Sequence, residues 1–71
     1  MSKALCSKIF CNGEEKKVAA ENIEQLLTEL NLGEKKVAVE LNQEIIPRAS
    51  YSSTKVSEGD SIEIVHFVGG G

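Results

Sequence analysis

Residues 61–71 read SIEIVHFVGGG. Up to Val68 the side chains follow the period-2 pattern of a strand with one buried face. Ile62 and Ile64 point to one side of that strand, and Glu63, Val65 and Phe67 to the other. Three glycines follow at once. They have no side chain to pack and little backbone preference, so a strand is expected to run into a narrow, flexible thread, Gly69 to Gly71. Immediately upstream, Glu58-Gly59-Asp60 supplies the residues of a tight turn.

Working back along the chain, KKVAVELNQEIIPR (residues 35–48) offers a second half-buried strand. Val37, Val39 and Leu41 alternate with Lys36, Ala38 and Glu40. Asn42-Gln43 is expected to turn the chain, and Ile45-Ile46 starts a short strand that Pro47 ends. The polar stretch ASYSSTKVSEGD (residues 49–60) is turn-rich, with a helical turn predicted near Tyr51–Thr54. ENIEQLLTELNLG (residues 21–33) places Ile23, Leu26, Leu27 and Leu30 at i, i+3, i+4 and i+7, one apolar stripe on a helix of about ten residues. Asn22 is its expected N-cap, Gln25 completes a capping box, and Gly33 is the expected left-handed C-terminal residue. Near the start, KIFCNGEEKKVAA (residues 8–20) reads as a hairpin around Asn12-Gly13, its second strand short and polar like an edge strand. The predicted order is β-β-α-β-β-β, an α+β mixed sheet with one main helix across one face.

The bulk composition sets limits on function. Seventy-one residues make one domain, with residues 1–7 read as an N-terminal extension to a body spanning 8–71. Hydrophobic residues are 41% and charged residues 27%, the balance of an ordinary soluble globular chain, and a cytoplasmic monomer is the default expectation. No apolar run approaches the roughly 20 residues a membrane helix needs. Eleven acidic against eight basic residues give a net charge of −3, which argues against a nucleic-acid partner, because phosphate binding needs a clustered basic face.

Catalytic and metal chemistry find little support. Cys6 and Cys11 are an odd number of positions apart and fall on opposite faces of any one strand, and no CxxC or histidine cluster completes a zinc site. They read as two reduced thiols, Cys11 a small core residue. His66 is the only histidine, and nothing around it forms a nucleophile motif. The expectation is therefore no catalytic residue, no metal and no bound cofactor.

The segments NGEEKKV, VAVELNQEIIPR and above all EGDSIEIVHFVGGG resemble the β-grasp, ubiquitin-like sulfur carriers, most closely the ThiS-like carriers that feed the thiazole ring of thiamine. The resemblance covers about residues 8–71 and implies a β-grasp fold. Two features depart from it: the leading MSKALCS, and Tyr51 where the family often has tryptophan. What the resemblance implies is a carrier and substrate, not an enzyme. An E1-like adenylyltransferase, using ATP and magnesium, would convert the Gly71 carboxylate to an acyl-adenylate. A sulfur donor such as a cysteine desulfurase or a similar persulfide enzyme would turn it into a C-terminal thiocarboxylate (1-thioglycine), and a thiazole synthase would accept the sulfur. Gly69 and Gly70 would enter the partners' active sites. Phe10, Val65 and Phe67, all directed away from the helix, are the expected docking surface. Related carriers serving molybdopterin, cysteine or tRNA thiolation, and a β-grasp interaction module that carries nothing, are the alternatives.

Overall fold

A computed structural model describes residues 6–33 and 35–66. Five strands form one sheet: β1 Ser7–Cys11, β2 Glu14–Val18, β3 Val37–Leu41, β4 Glu44–Ile46 and β5 Ser61–His66. Their spatial order is β2-β1-β5-β3-β4. β1 and β5 run parallel, and the other neighbours are antiparallel. The helix α1, Ile23–Glu29, links the two hairpins, and a 3-10 helix, Arg48–Ser53, precedes the return to β5. This is the expected element order and the expected α+β, β-grasp arrangement. Ser7, placed in the leading segment by the sequence reading, pairs with Val18 at the open end of the first hairpin.

One face of the sheet makes the core. Ile9, Cys11, Val18, Val39, Ile62 and Ile64 are buried there with Ile23, Leu26 and Leu27 of the helix, and Ala20 and Val56 close the edges. The alternation read from the sequence holds strand by strand, because each inward residue is separated from the next by one that faces water.

Both hairpin turns need left-handed backbone at their two central residues, the geometry that matches strand twist. Asn12 and Gly13 have φ of 52° and 83°, and Asn42 and Gln43 have 51° and 72°. Gly13 suits its place, whereas Gln43 holds a conformation that costs a side-chain-bearing residue about 1–2 kcal/mol.

The helix departs from expectation at its C-terminus. It has seven residues rather than ten, and Asn31, with φ of 64°, is the residue in the left-handed region. The Leu32 N–H donates to the Leu27 carbonyl at 2.7 Å and the Asn31 N–H to the Thr28 carbonyl at 3.0 Å. That is the Schellman pattern, with apolar Leu27 and Leu32 at its two hydrophobic positions. Gly33 comes too late to close the helix. Its lack of a side chain matters differently, since a Cβ there would sit 3.3 Å from Thr28 Oγ1. At the N-terminus the Asn22 cap is as expected, Oδ1 accepting from the Gln25 N–H at 2.8 Å. The Gln25 side chain reaches past the cap to accept from the Glu21 N–H at 2.9 Å. The Asn22 region is also stitched to residues 54–56, the Ile23 N–H donating to the Thr54 carbonyl and the Val56 N–H to the Glu21 carbonyl. The 3-10 helix begins at Arg48, earlier than predicted, because extended Pro47 (φ −64°, ψ 147°) already has the φ that enters a helical turn.

Candidate functional site: the end of β5 and the open sheet face

β5 is the middle strand, and the described residues end with it at His66. On one side it pairs with β3 along most of its length, from Leu41 opposite Ile62 to Val37 opposite His66. On the other side its parallel pairing with β1 covers only Ser61 and Ile62. β1 then turns away at Asn12. The ladder continues by one further step through a side chain: the Ile64 N–H donates to Asn12 Oδ1 at 2.8 Å, and Asn12 Nδ2 donates to the Ile64 carbonyl at 3.2 Å. Asn42 holds the other end of β5 from the opposite turn, its Oδ1 accepting from the Ser61 N–H at 3.0 Å. The strand that precedes residues 67–71 in sequence is therefore tied on both flanks.

Of the residues named from the sequence, Phe10 and Val65 lie on the sheet face away from α1, 39% and 56% exposed. Phe67, Gly69, Gly70 and Gly71 lie outside the described residues. Phe10 is not beside Val65. It stands opposite Ser61, and Val65 lies four positions further along β5, about 13 Å away. Between them Glu63 faces outward, directly opposite Glu40 of β3, with Ile45 of β4 next in the row. Ile45 is 75% exposed, a surface residue that the sequence reading does not single out. The signal was present, since two adjacent isoleucines in a strand must point to opposite faces, and Ile46 pairs with buried Val39.

Among the described residues the open face thus carries three large exposed apolar side chains, Phe10, Val65 and Ile45, around a carboxylate pair. Like charges directly across an antiparallel ladder destabilise a sheet, and both glutamates are exposed. The ion pairs recorded near this face and at its edge, Lys8 with Glu15 at 3.9 Å and Lys16 with Glu14 at 3.8 Å, leave Glu40 and Glu63 unmatched among the described residues. Glu40→Lys is expected to stabilise the free domain by about 1 kcal/mol, since it replaces cross-strand repulsion with attraction. Urea denaturation should show a raised midpoint at unchanged slope.

The two cysteines separate as read. Cys6 is exposed and Cys11 is buried. Burial pushes the Cys11 thiol above its ordinary value of 9.0, with Lys16 opposing and Glu14 reinforcing the rise. The thiolate is the reactive form, so Cys11 is a packing residue. Native alkylation at neutral pH should modify Cys6 rapidly and Cys11 only on unfolding. Because the unfolded thiol ionises first, the contribution of Cys11 to stability falls as pH rises above its ordinary value. His66 is exposed at the end of β5. Among the described residues no group of three or more His, Cys, Asp or Glu is placed to hold a metal ion. Among them, too, no helix is long and apolar enough to cross a membrane.

Known proteins resemble this chain in both sequence and geometry. The ThiS family model matches residues 9–71. The sulfur carrier protein ThiS of Bacillus subtilis is 49% identical over 49 residues, 69% of this chain and 74% of that protein. A thiazole synthase of Paramagnetospirillum magneticum is 49% identical over 65 residues, 90% of this chain. The chain spans only 20% of that relative's length. Among solved structures, the crystal structure of the thiamine biosynthesis protein ThiS from Geobacter metallireducens superposes with a TM-score of 0.76 at 37% identity, covering 90% of this chain and 99% of the other. The chain belongs to the ThiS family.

Proposed function

We propose that this protein is the sulfur carrier of thiazole formation in thiamine biosynthesis, and that the Gly71 carboxylate is its reacting group. The observation that carries the reading is the position of β5. A strand bonded on both sides in the middle of the sheet gives the following segment a fixed origin, and the glycines that come next have no Cβ to obstruct an enclosed active site. The family match runs through those same residues. That thiazole synthases contain a stretch resembling this chain supports a thiazole synthase as the acceptor.

The chemistry follows from the poor electrophilicity of a carboxylate. In an E1-like adenylyltransferase, a Gly71 carboxylate oxygen attacks the α-phosphorus of ATP, with magnesium neutralising the phosphates, and pyrophosphate leaves. The terminal sulfur of a donor persulfide then attacks the acyl carbon and AMP departs. A second thiolate cleaves the resulting acyl disulfide, forming a new disulfide and releasing the thiocarboxylate. The carrier supplies no acid, base or metal to these steps. Its work is delivery, and the open face of the sheet provides recognition: Phe10, Val65 and Phe67, joined by Ile45, would dock apolar surface around a partner cation facing Glu40 and Glu63.

Pyrophosphate release tests this directly. With the adenylating enzyme, ATP and magnesium, release should require this chain and saturate with it. Phe10→Asp should raise the half-saturating concentration on the order of tenfold, the loss expected for one apolar interface contact, with far-UV dichroism unchanged. Release that is indifferent to the chain contradicts the function, and an unchanged half-saturation removes Phe10 from the interface.

A further inference from the structure

We propose that Asn12 is a positioning residue for the carrier reaction: its side-chain amide stands in for the strand residue that β1 lacks and fixes the point at which the tail leaves the fold. The inference rests on the sulfur-carrier reading for its kinetic consequence, but the clasp itself stands on distances. Along the parallel edge, the Phe10 N–H donates to the Asp60 carbonyl at 2.9 Å and the Asn12 N–H to the Ile62 carbonyl at 2.9 Å. A continued ladder would take the Ile64 N–H onto the Asn12 main-chain carbonyl and serve the Ile64 carbonyl from the N–H two residues on, but the chain has already turned through left-handed Asn12 and Gly13 toward β2. The Asn12 carboxamide fills that rung. It presents one acceptor and one donor, as a peptide unit does, to the N–H and the carbonyl of Ile64.

Few side chains could do both jobs. Asparagine tolerates the left-handed backbone of the turn and carries a primary amide on a stem short enough to face the neighbouring strand. Glycine would satisfy the turn and lose the rung. Aspartate would satisfy the turn, but at neutral pH it would set a carboxylate oxygen against the Ile64 carbonyl, and that repulsion would push the side chain off the rung. Without the rung, Ile64 and the residues after it are held from the β3 side alone. The segment that must be ordered when a partner captures Gly71 then grows at its root.

Asn42 provides an internal control. It also occupies a left-handed turn position and also accepts from a β5 amide, but at Ser61, the end of the strand remote from the tail. Asn12→Gly and Asn42→Gly should therefore differ in function more than in stability. In Asn12→Gly, hydrogen exchange at the Ile64 amide should accelerate at least about tenfold relative to Ile62, since local opening sets that rate. The half-saturating concentration in the adenylation assay should rise on the order of tenfold with turnover unchanged, because re-ordering about one residue of backbone costs that much. Asn42→Gly should leave both near wild type. Asn12→Asp should resemble Asn12→Gly at neutral pH and regain Ile64 protection as the pH falls and the carboxyl gains a proton to donate.

Unchanged Ile64 protection in Asn12→Gly overturns the clasp. Equal kinetic loss in the two glycine variants overturns the positioning role and leaves a merely structural one. If the wild-type chain is not adenylated at all, the sulfur-carrier reading fails, while the exchange rates and the low-pH recovery of Asn12→Asp still decide whether the clasp exists.

Discussion

A chain carrying one extra residue after Gly71 is expected to melt like the original and to lose thiocarboxylate formation by on the order of a hundredfold or more, the penalty for misplacing a reacting atom by about an ångström or beyond. The added residue moves the terminal carboxylate by roughly 3.3–3.6 Å and leaves an amide where the reaction needs a carboxylate. Gly70→Leu should give a similar loss for a different reason, because its side chain must enter a channel shaped for bare backbone. Neither change alters any contact of the described core, which lies between Ile9 and Ile64. Pyrophosphate release and a thermal melt on the same samples check both halves. An interaction module that carries nothing would pass unchanged through both assays.

Ile62→Ala should show the opposite signature. Ile62 is fully buried near the start of β5, and truncating a buried isoleucine to alanine costs about 2–5 kcal/mol. A domain of this size holds only about 4–10 kcal/mol in total, so the variant should unfold at much lower urea concentration and sit partly unfolded at growth temperature. The tail residues would be intact, yet their fixed origin would not. Adenylation should fall in proportion to the folded fraction and recover at lower temperature. Retained stability would show that the β5 side chains do not carry the core as described.

These two predictions separate what the sequence made legible from what it did not. The inward faces could be read because each strand shows water to one side, so Ile9, Cys11, Val39, Ile62 and Ile64 fell into place by alternation alone. The turns could be read because Asn12-Gly13 and Asn42-Gln43 lie between alternating runs. The helix end could not. Asn31 and Gly33 both accept left-handed backbone, and Asn31 is the residue that lets its own N–H reach the Thr28 carbonyl and the Leu32 N–H reach the Leu27 carbonyl. The shape of the open face was also out of reach. Phe10 and Val65 were assigned to the correct side, but their separation depends on the register between β1 and β5, which has no local signature. The same register brings the Asn12 amide to Ile64, across 52 residues of sequence, and the register between β3 and β5 sets Glu40 opposite Glu63.

The account depends most directly on where sulfur arrives. The protein should be incubated with the adenylating enzyme, ATP, magnesium and a persulfide donor, then fragmented in a mass spectrometer. Replacement of one oxygen by sulfur at Gly71 is the predicted result. The position must be mapped, because oxidation of Met1, Cys6 or Cys11 adds nearly the same mass. An unmodified Gly71, with any added mass confined to those three side chains, would contradict the account.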